Sequence, residues 1–529
     1  MTYDAVVVGS GINGLVAGAL LAQGGWRVCI LERSDRLGGA IRTDEITEPG
    51  FVHEVFAGWH PQFTSSPAYA ALREELTARG VEYLNTELAT ATLFPDGESV
   101  VLTTSREANV AELERCAAGD GEAWSRELDA FVAARDLTGG LLGTELRSRA
   151  GLALALRAYR RLGRRGLAEL TAAMAASCRD WATTTFRSDR VHAVFAPWVL
   201  HSGLTPDDAG SAFAARLITF TKELGGSPVP RGGGTRLVAA LAGIVRDAGG
   251  ACETRREADR VLVSDGRATG VRTSDGEVFA ARRAVLASVT PQQLYTRLLD
   301  PATLAASTVE AARRFRFGRA AMQIHFALSE PPQWAARDPR IGRTAIVHLT
   351  PGLDAVSRAA NEAARGLLPA EATIVCGQPV AVDPSRAPAG SWILWIQLQE
   401  LPSRPRGDAA GELDVGDGTW TEPLRERYAD RIQARLARQI ENLEPALLRR
   451  VAYSPADLEA ANANLVGGDP YSGAPTLDQS LFWRPPHRTP VRGLYHIGAS
   501  THPGSGLRGG SGELVARSLL RRRVAPRHD

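Results

Sequence analysis

The chain has 529 residues, a net charge of +2, 23% charged and 44% hydrophobic residues. That length is too great for one core, so two or three domains are expected, with the composition of a soluble globular enzyme. The near-neutral balance excludes a general nucleic-acid binder, which needs a large basic field. No apolar run approaches the roughly 18 residues of a membrane span, and the five cysteines are scattered, with no C-x-x-C and no Cys/His metal spacing. No metal site is expected. The chain runs directly into its first strand, leaving no room for a signal peptide, and a reduced, cytoplasmic setting is expected. Basic residues are almost all arginine; Lys222 is the only lysine.

In chain order, Ala5 to Val8 reads as a buried parallel strand. It ends in Gly9-Ser10-Gly11-Ile-Asn13-Gly14, after which the apolar residues take helical spacing. Strand, tight glycine turn and helix form the dinucleotide fingerprint in its required context. Gly9 permits the sharp turn, Gly11 lets a pyrophosphate approach the backbone, and Gly14 lets helix and strand pack closely. The helix N-terminus offers free N–H groups and about half a positive charge to the phosphates. The second strand, 27–31, ends in Glu32, near the spacing of about 20 residues expected of the acid that binds a ribose hydroxyl. A carboxylate there repels a 2′-phosphate, so an adenosine without one is favoured. The pair Gly38-Gly39 allows a second close backbone approach.

Further along, 49–61 is aromatic and histidine-rich. A hairpin is expected at 87–103 around Pro95-Asp-Gly97, and helices from about 106 to 223. The apolar stretch 152–156 followed by arginine-rich 157–165 reads either as a solvated helix face or as a contact with an anionic membrane surface, the former being preferred. A helix is expected at 235–248, strands at 251–255, 258–263, 271–274 and 284–288, then strands at 320–328 and 392–398. A surface loop follows at 402–420. The helix expected at 422–441 carries Arg/Glu pairs read as a solvated face. A strand at 493–497 leads through a second glycine-rich loop into a helix from Glu513 to Arg523. No second G-x-G-x-x-G occurs, which disfavours reduction by NAD(P)H through a separate Rossmann domain.

Glu32-Arg33, four intervening residues, Gly38-Gly39 and Arg42-Thr43 resemble the second FAD motif of the amine oxidase and phytoene desaturase superfamily. The segment from Gly493 through Gly498, Thr501, Gly504, Gly506 and Gly509 to Gly512 is similar to the closing motif of phytoene dehydrogenase-like proteins. Matches at 228–233, 266–271 and 481–485 extend the resemblance nearly end to end. It implies an α/β protein with a discontinuous Rossmann-type FAD-binding domain (1–86, 225–300, 485–529). An α+β substrate-binding domain built on a mixed sheet would occupy 87–224 and 301–484, with its helical part at about 106–223. Non-covalent FAD would be held by Gly9, Ser10, Gly11, Asn13, Gly14, Glu32, Arg33, Gly38, Gly39, Arg42, Trp59, Ala258, Gly498, Ala499, Leu507 and Gly510. Valine is usual where Ala258 stands. The C-terminal helix would direct its N-terminus at the flavin.

The implied chemistry is net removal of two hydrogens, as hydride to the flavin, from a polyene or other lipophilic metabolite, with oxygen or a quinone as electron acceptor. His60, His201 and His502 are candidate proton-handling groups, and Arg508 is placed beside the flavin. A flavin amine oxidase is the main alternative. Against it, Lys222 stands too early to be the lysine such enzymes hold near the flavin, and Leu507-Arg508 replace an aromatic cage residue. A redox-neutral FAD isomerase and a flavin-free escort protein remain open, as does the oligomeric state.

Overall fold

The computed structural model describes residues 2–521. Its strands form two seven-stranded sheets and three two-stranded pairings. In the first, Leu494–Ile497, Val278–Ser288, Thr2–Val8, Val28–Leu31 and Ala251–Glu253 lie side by side and parallel. An antiparallel hairpin, Ala258–Ser264 with Arg267–Thr273, joins the first half of Val278–Ser288. The continuous apolar runs follow from burial on both faces. Ala5, Val7, Val28, Ile30 and Leu286 pack under the helices Ile12–Gln23, Thr235–Asp247 and Gly510–Arg521. Their neighbours Val6, Val8, Cys29, Leu31 and Val285 belong to a second core with the hairpin and Leu294.

The second sheet runs Leu447–Tyr453, Ala320–Leu328, Trp392–Leu401, Ile374–Gly377, Ile346–Leu349, Thr90–Leu93, Ser99–Leu102. All its pairs are antiparallel except Ile346–Leu349 with Thr90–Leu93. Period-2 alternation divides its faces. Met322, Ile324, Leu394, Ile396, Leu398 and Cys376 pack with Leu424, Tyr428 and Ile432 of the helix Glu422–Leu436. Ala321, Gln323, Trp395, Gln397, Gln399 and Ile346 face a cavity. Between residues 106 and 225 the chain is helical, around an aromatic core of Trp124, Trp181, Phe195 and Phe220.

Some boundaries differ from the sequence reading. The helix expected to 441 ends at Leu436, and its Arg425 bonds Asp457 (3.3 Å) while Arg450 bonds Glu426 (3.0 Å), so those charges tie elements together rather than only facing solvent. The last helix starts at Gly510, three residues before Glu513; Arg522 and Arg523 lie outside the described residues. The expected loop 402–420 contributes Gly407–Asp408 to a short parallel pairing with Leu367–Leu368. The helical stretch Arg149–Ala175 is broken at Gly163, where φ is 65°, and leaves Leu152 72% exposed beside exposed Leu156 and Tyr159. Among the described residues no helix is long and apolar enough to cross a membrane.

Candidate active site

At the C-terminal end of Thr2–Val8 the chain turns through Gly9 (φ 91°), whose added Cβ would meet Ser288 O at 3.0 Å. The helix Ile12–Gln23 then begins with no side-chain cap, leaving its first backbone N–H groups available to an anion. A Cβ on Gly14 would lie 2.1 Å from Gly9 O, so close strand–helix packing demands glycine there. A Cβ on Gly11 would meet nothing within 4 Å, an open space at the spot where a pyrophosphate approaches. Gly39 (φ 60°) closes on this turn, its Cβ position 3.0 Å from Gly11 Cα.

Glu32, buried, is the centre of this turn's hydrogen bonding. It accepts from Ser10 N (3.0 Å), Ser10 Oγ (2.6 Å), Ser34 N (3.0 Å) and Ser34 Oγ (3.1 Å), while Gly38 N donates to Ser10 Oγ (3.0 Å). Glu32 also lines a cleft of about 110 Å³ with Gly9, Ser10, Gly11, Arg33, Gly39 and Ala258. A cleft walled by a carboxylate, a glycine turn and a small apolar residue fits adenosine and its ribose.

Ser288, Val289, Asn462 and Asn464 line both that cleft and a larger cavity of about 340 Å³, so the two spaces share walls. Gly11, Asn13, Gly38, Trp59, Gly498, Ala499, Leu507, Arg508 and His201 line the larger one. The C-terminal loop is fixed there by Ser511 Oγ, which accepts from Gly498 N (3.0 Å) and bonds Thr501 Oγ1 (2.7 Å). Gly512 N donates to Asn13 Oδ1 (3.3 Å), joining this loop to the first glycine turn. Arg508 Nε donates to Gln62 Oε1 (3.3 Å), and burial lowers its pKa to about 10. Glycine turns, an uncapped helix end and a cavity that shares walls with the cleft fit the chemistry of FAD.

Three expected cofactor residues stand elsewhere. Gly14 acts through packing. Arg42 is half-buried and pairs with Asp44 (3.3 Å), lining neither space, and Gly510 starts the last helix beside Pro503. The histidines need a larger correction. His60 lies between the cavity-lining Trp59 and Pro61 but is itself enclosed: its Nδ1 bonds Tyr83 Oη (3.0 Å), and burial drops its pKa to about 3. His502 lies outside the cavity wall, with burial lowering its pKa to about 4. Only His201 reaches the cavity. There it bonds His348, with Nε2 atoms 3.1 Å apart, on the helical side.

Sequence reasoning also set Lys222 aside on position, whereas the fold brings it onto the cavity wall. Trp395, Gln323, Gln399, Asn462 and Asn464 are lining residues that no motif marks. Among the described residues lining the large cavity, Lys222 and Arg508 are cations and none is Asp or Glu.

Residues 12–520 match the model of the family described as flavin containing amine oxidoreductase. The chain is 28% identical to pyridine nucleotide-disulfide oxidoreductase domain-containing protein 2 of Mus musculus, covering 98% of this chain and 93% of that one. It is 27% identical to a limonene dehydrogenase subunit of Castellaniella defragrans (98% and 94%). It is 26% identical to a neurosporene-forming phytoene desaturase of Cereibacter sphaeroides (97% and 94%). Its fold is shared with cyclohexylamine oxidase from Brevibacterium oxydans, at a TM-score of 0.58 and 15% identity over 99% of this chain and 100% of that one.

Proposed function

The chain belongs to the flavin-containing amine oxidoreductase family and is an FAD-dependent oxidoreductase; from that premise we propose that it removes two hydrogens from a lipophilic substrate held in the common cavity. The observation that carries this reading is the character of the wall. The glycine turns and Arg508 contribute part of it; Trp59, Trp198, Ile218, Ile346, Trp395 and Leu465 supply a broad apolar surface, interrupted by uncharged amides such as Gln323 and Gln399 and by His201 and Lys222. FAD, when bound, supplies the acceptor for the hydride equivalent leaving a C–H bond. The residues of this chain do the rest. Glu32 and the turns at Gly9–Gly14 and Gly38–Gly39 would bind the nucleotide. The aromatic and aliphatic walls would orient an apolar skeleton and exclude water, and Arg508 would place a cation near the reacting end.

The names of two relatives, a limonene dehydrogenase subunit and a phytoene desaturase, support an apolar substrate. An amine is the less favoured substrate, because a cationic amine would enter a cavity walled by Arg508 and Lys222 and, among the described residues, by no carboxylate. Oxygen or a quinone is the proposed electron acceptor. Delivery of such a substrate from a bilayer is supported by the exposed Leu152, Leu156 and Tyr159 beside Arg157, Arg160 and Arg161.

Two measurements test this. The FAD-loaded protein is mixed anaerobically with apolar terpenes and polyenes, and products are analysed for loss of two hydrogens. Oxygen and a soluble quinone are then compared for restoring the oxidised spectrum. Flotation with vesicles containing anionic lipid should carry the protein upward, and Leu152→Asp with Leu156→Asp should abolish this. A product of unchanged mass, or flotation indifferent to the substitutions, contradicts the respective part.

A further inference from the structure

The helical wall of the cavity holds a charge that dehydrogenation of a hydrocarbon does not use. Lys222 lies in the helix Ser211–Gly225 and is 2% exposed. Its ammonium donates to Ser227 Oγ at 3.1 Å, and Ser227 Oγ in turn donates to Ala89 O (3.0 Å). Nζ also stands 4.5 Å from the centroid of the Trp198 ring. Among the described residues no carboxylate pairs with this cation: the adjacent Glu223 is engaged by Arg106 (3.1 Å), Asn109 (2.8 Å) and Trp124 (2.7 Å). Burial alone pushes the Lys222 pKa down to about 7. An ammonium has three donors, and Ser227 is its one protein acceptor among the described contacts.

The surroundings supply a further donor and, among the described residues lining the cavity, no acid. Trp198 packs on His201 and His348, with ring centroids 4.5 and 4.6 Å away. Trp395 belongs to the same buried cluster as Trp198, lines the same cavity, and its buried Nε1 has no partner. A buried ammonium lacking a counter-charge is costly, as is an indole N–H without an acceptor. A ligand carboxylate within reach of both groups would remove both costs.

We propose that this wall binds the carboxylate of an amphipathic substrate, a lipophilic carboxylic acid, with Lys222 forming the ion pair and Trp395 Nε1 donating to the same group. The inference rests on the lipophilic-substrate reading and narrows it to chains that end in an acid.

The test measures binding, not turnover, on the FAD-loaded full-length protein. A long-chain fatty acid, the alcohol of the same chain and its aldehyde are compared. The acid is expected to bind at least about tenfold more tightly than the alcohol, matching a charge-assisted contact of about 1.4 kcal/mol. Lys222→Met is expected to erase that preference and Trp395→Phe to reduce it, flavin content reporting that each variant is folded. Equal affinity of acid and alcohol for the unaltered protein overturns the proposal, and this comparison stands even where Lys222→Met does not fold. So does a preference for acid that survives Lys222→Met. A borohydride-trapped adduct of the aldehyde on Lys222, without preference for the acid, overturns it in favour of a carbonyl-condensing lysine. Tight acid binding together with terpene and polyene products of unchanged mass keeps the proposal and instead defeats the dehydrogenation reading.

Discussion

Gly11 and Gly14 stand three residues apart and are glycine for different reasons, which substitution separates. Gly11 has φ −59°, open to any residue, and an empty Cβ position. Gly11→Ala should therefore leave the melting temperature of the flavin-free protein unchanged while weakening FAD binding, about tenfold or more if the methyl occupies the phosphate's place. Gly14→Ala drives a methyl to 2.1 Å from Gly9 O and should destabilise the flavin-free protein itself, by about 1–3 kcal/mol. Equal effects of the two on the flavin-free melt would contradict this division. Arg508→Leu should move the flavin potential to more negative values, since a cation beside the site favours added negative charge; an unchanged potential and unchanged turnover would remove Arg508 from the site. These backbone-dictated glycines were legible because their spacing from a strand end is a local property. Lys222 was not. Its place on the cavity wall follows from how the helical segment packs against strands more than 100 residues later, and nothing near it in sequence announces that.

Between elements, one buried knot joins three segments distant in sequence, at Glu54, Pro230 and 383–386. Arg386, completely buried, donates to Glu54 Oε1 (2.9 Å), Asp383 Oδ2 (2.9 Å) and Pro230 O (2.7 Å). The two acids also accept from Gly234 N and Gly232 N, each at 2.7 Å. Breaking such a network leaves buried charge unpaired, so Arg386→Met should cost about 3–5 kcal/mol, read by denaturant unfolding. A cost below about 1 kcal/mol would mean that the acids find other partners. The elements themselves were largely readable, since their periodicities are imposed by faces that must be buried: the run Ala5–Val8, the alternation of 320–328 and 392–398, and the helical stretch 106–223. This knot was not, because Glu54 and Pro230 lie 332 and 156 residues from Arg386 and nothing near Glu54 in the sequence marks that arginine as its partner.

For the molecule as a whole, buried histidines couple stability to pH. Burial lowers His60 and His348 to about 3, and His325, His496 and His502 to about 4, from an ordinary 6.5. The unfolded chain therefore binds protons that the folded chain refuses as pH falls below 6.5. Stability present above that value is lost between about pH 6.5 and pH 4, by up to about 1.4 kcal/mol per pH unit for each histidine. Buried Glu54 and Glu400, raised by desolvation, act in the opposite direction, but partners at hydrogen-bonding distance work against their shift. Thermal melts at constant ionic strength should fall steeply across that window, and a melting temperature that rises as pH drops would contradict the balance. Among the described residues lining the large cavity stand Lys222 and Arg508 and no acid, which is the basis for preferring a lipophile over an amine. The most direct test is anaerobic bleaching of the flavin band in the loaded protein by two ligands of similar carbon skeleton, an apolar terpene or polyene and its primary amine. The account predicts bleaching by the apolar compound and little or none by the amine; fast bleaching by the amine alone would contradict it.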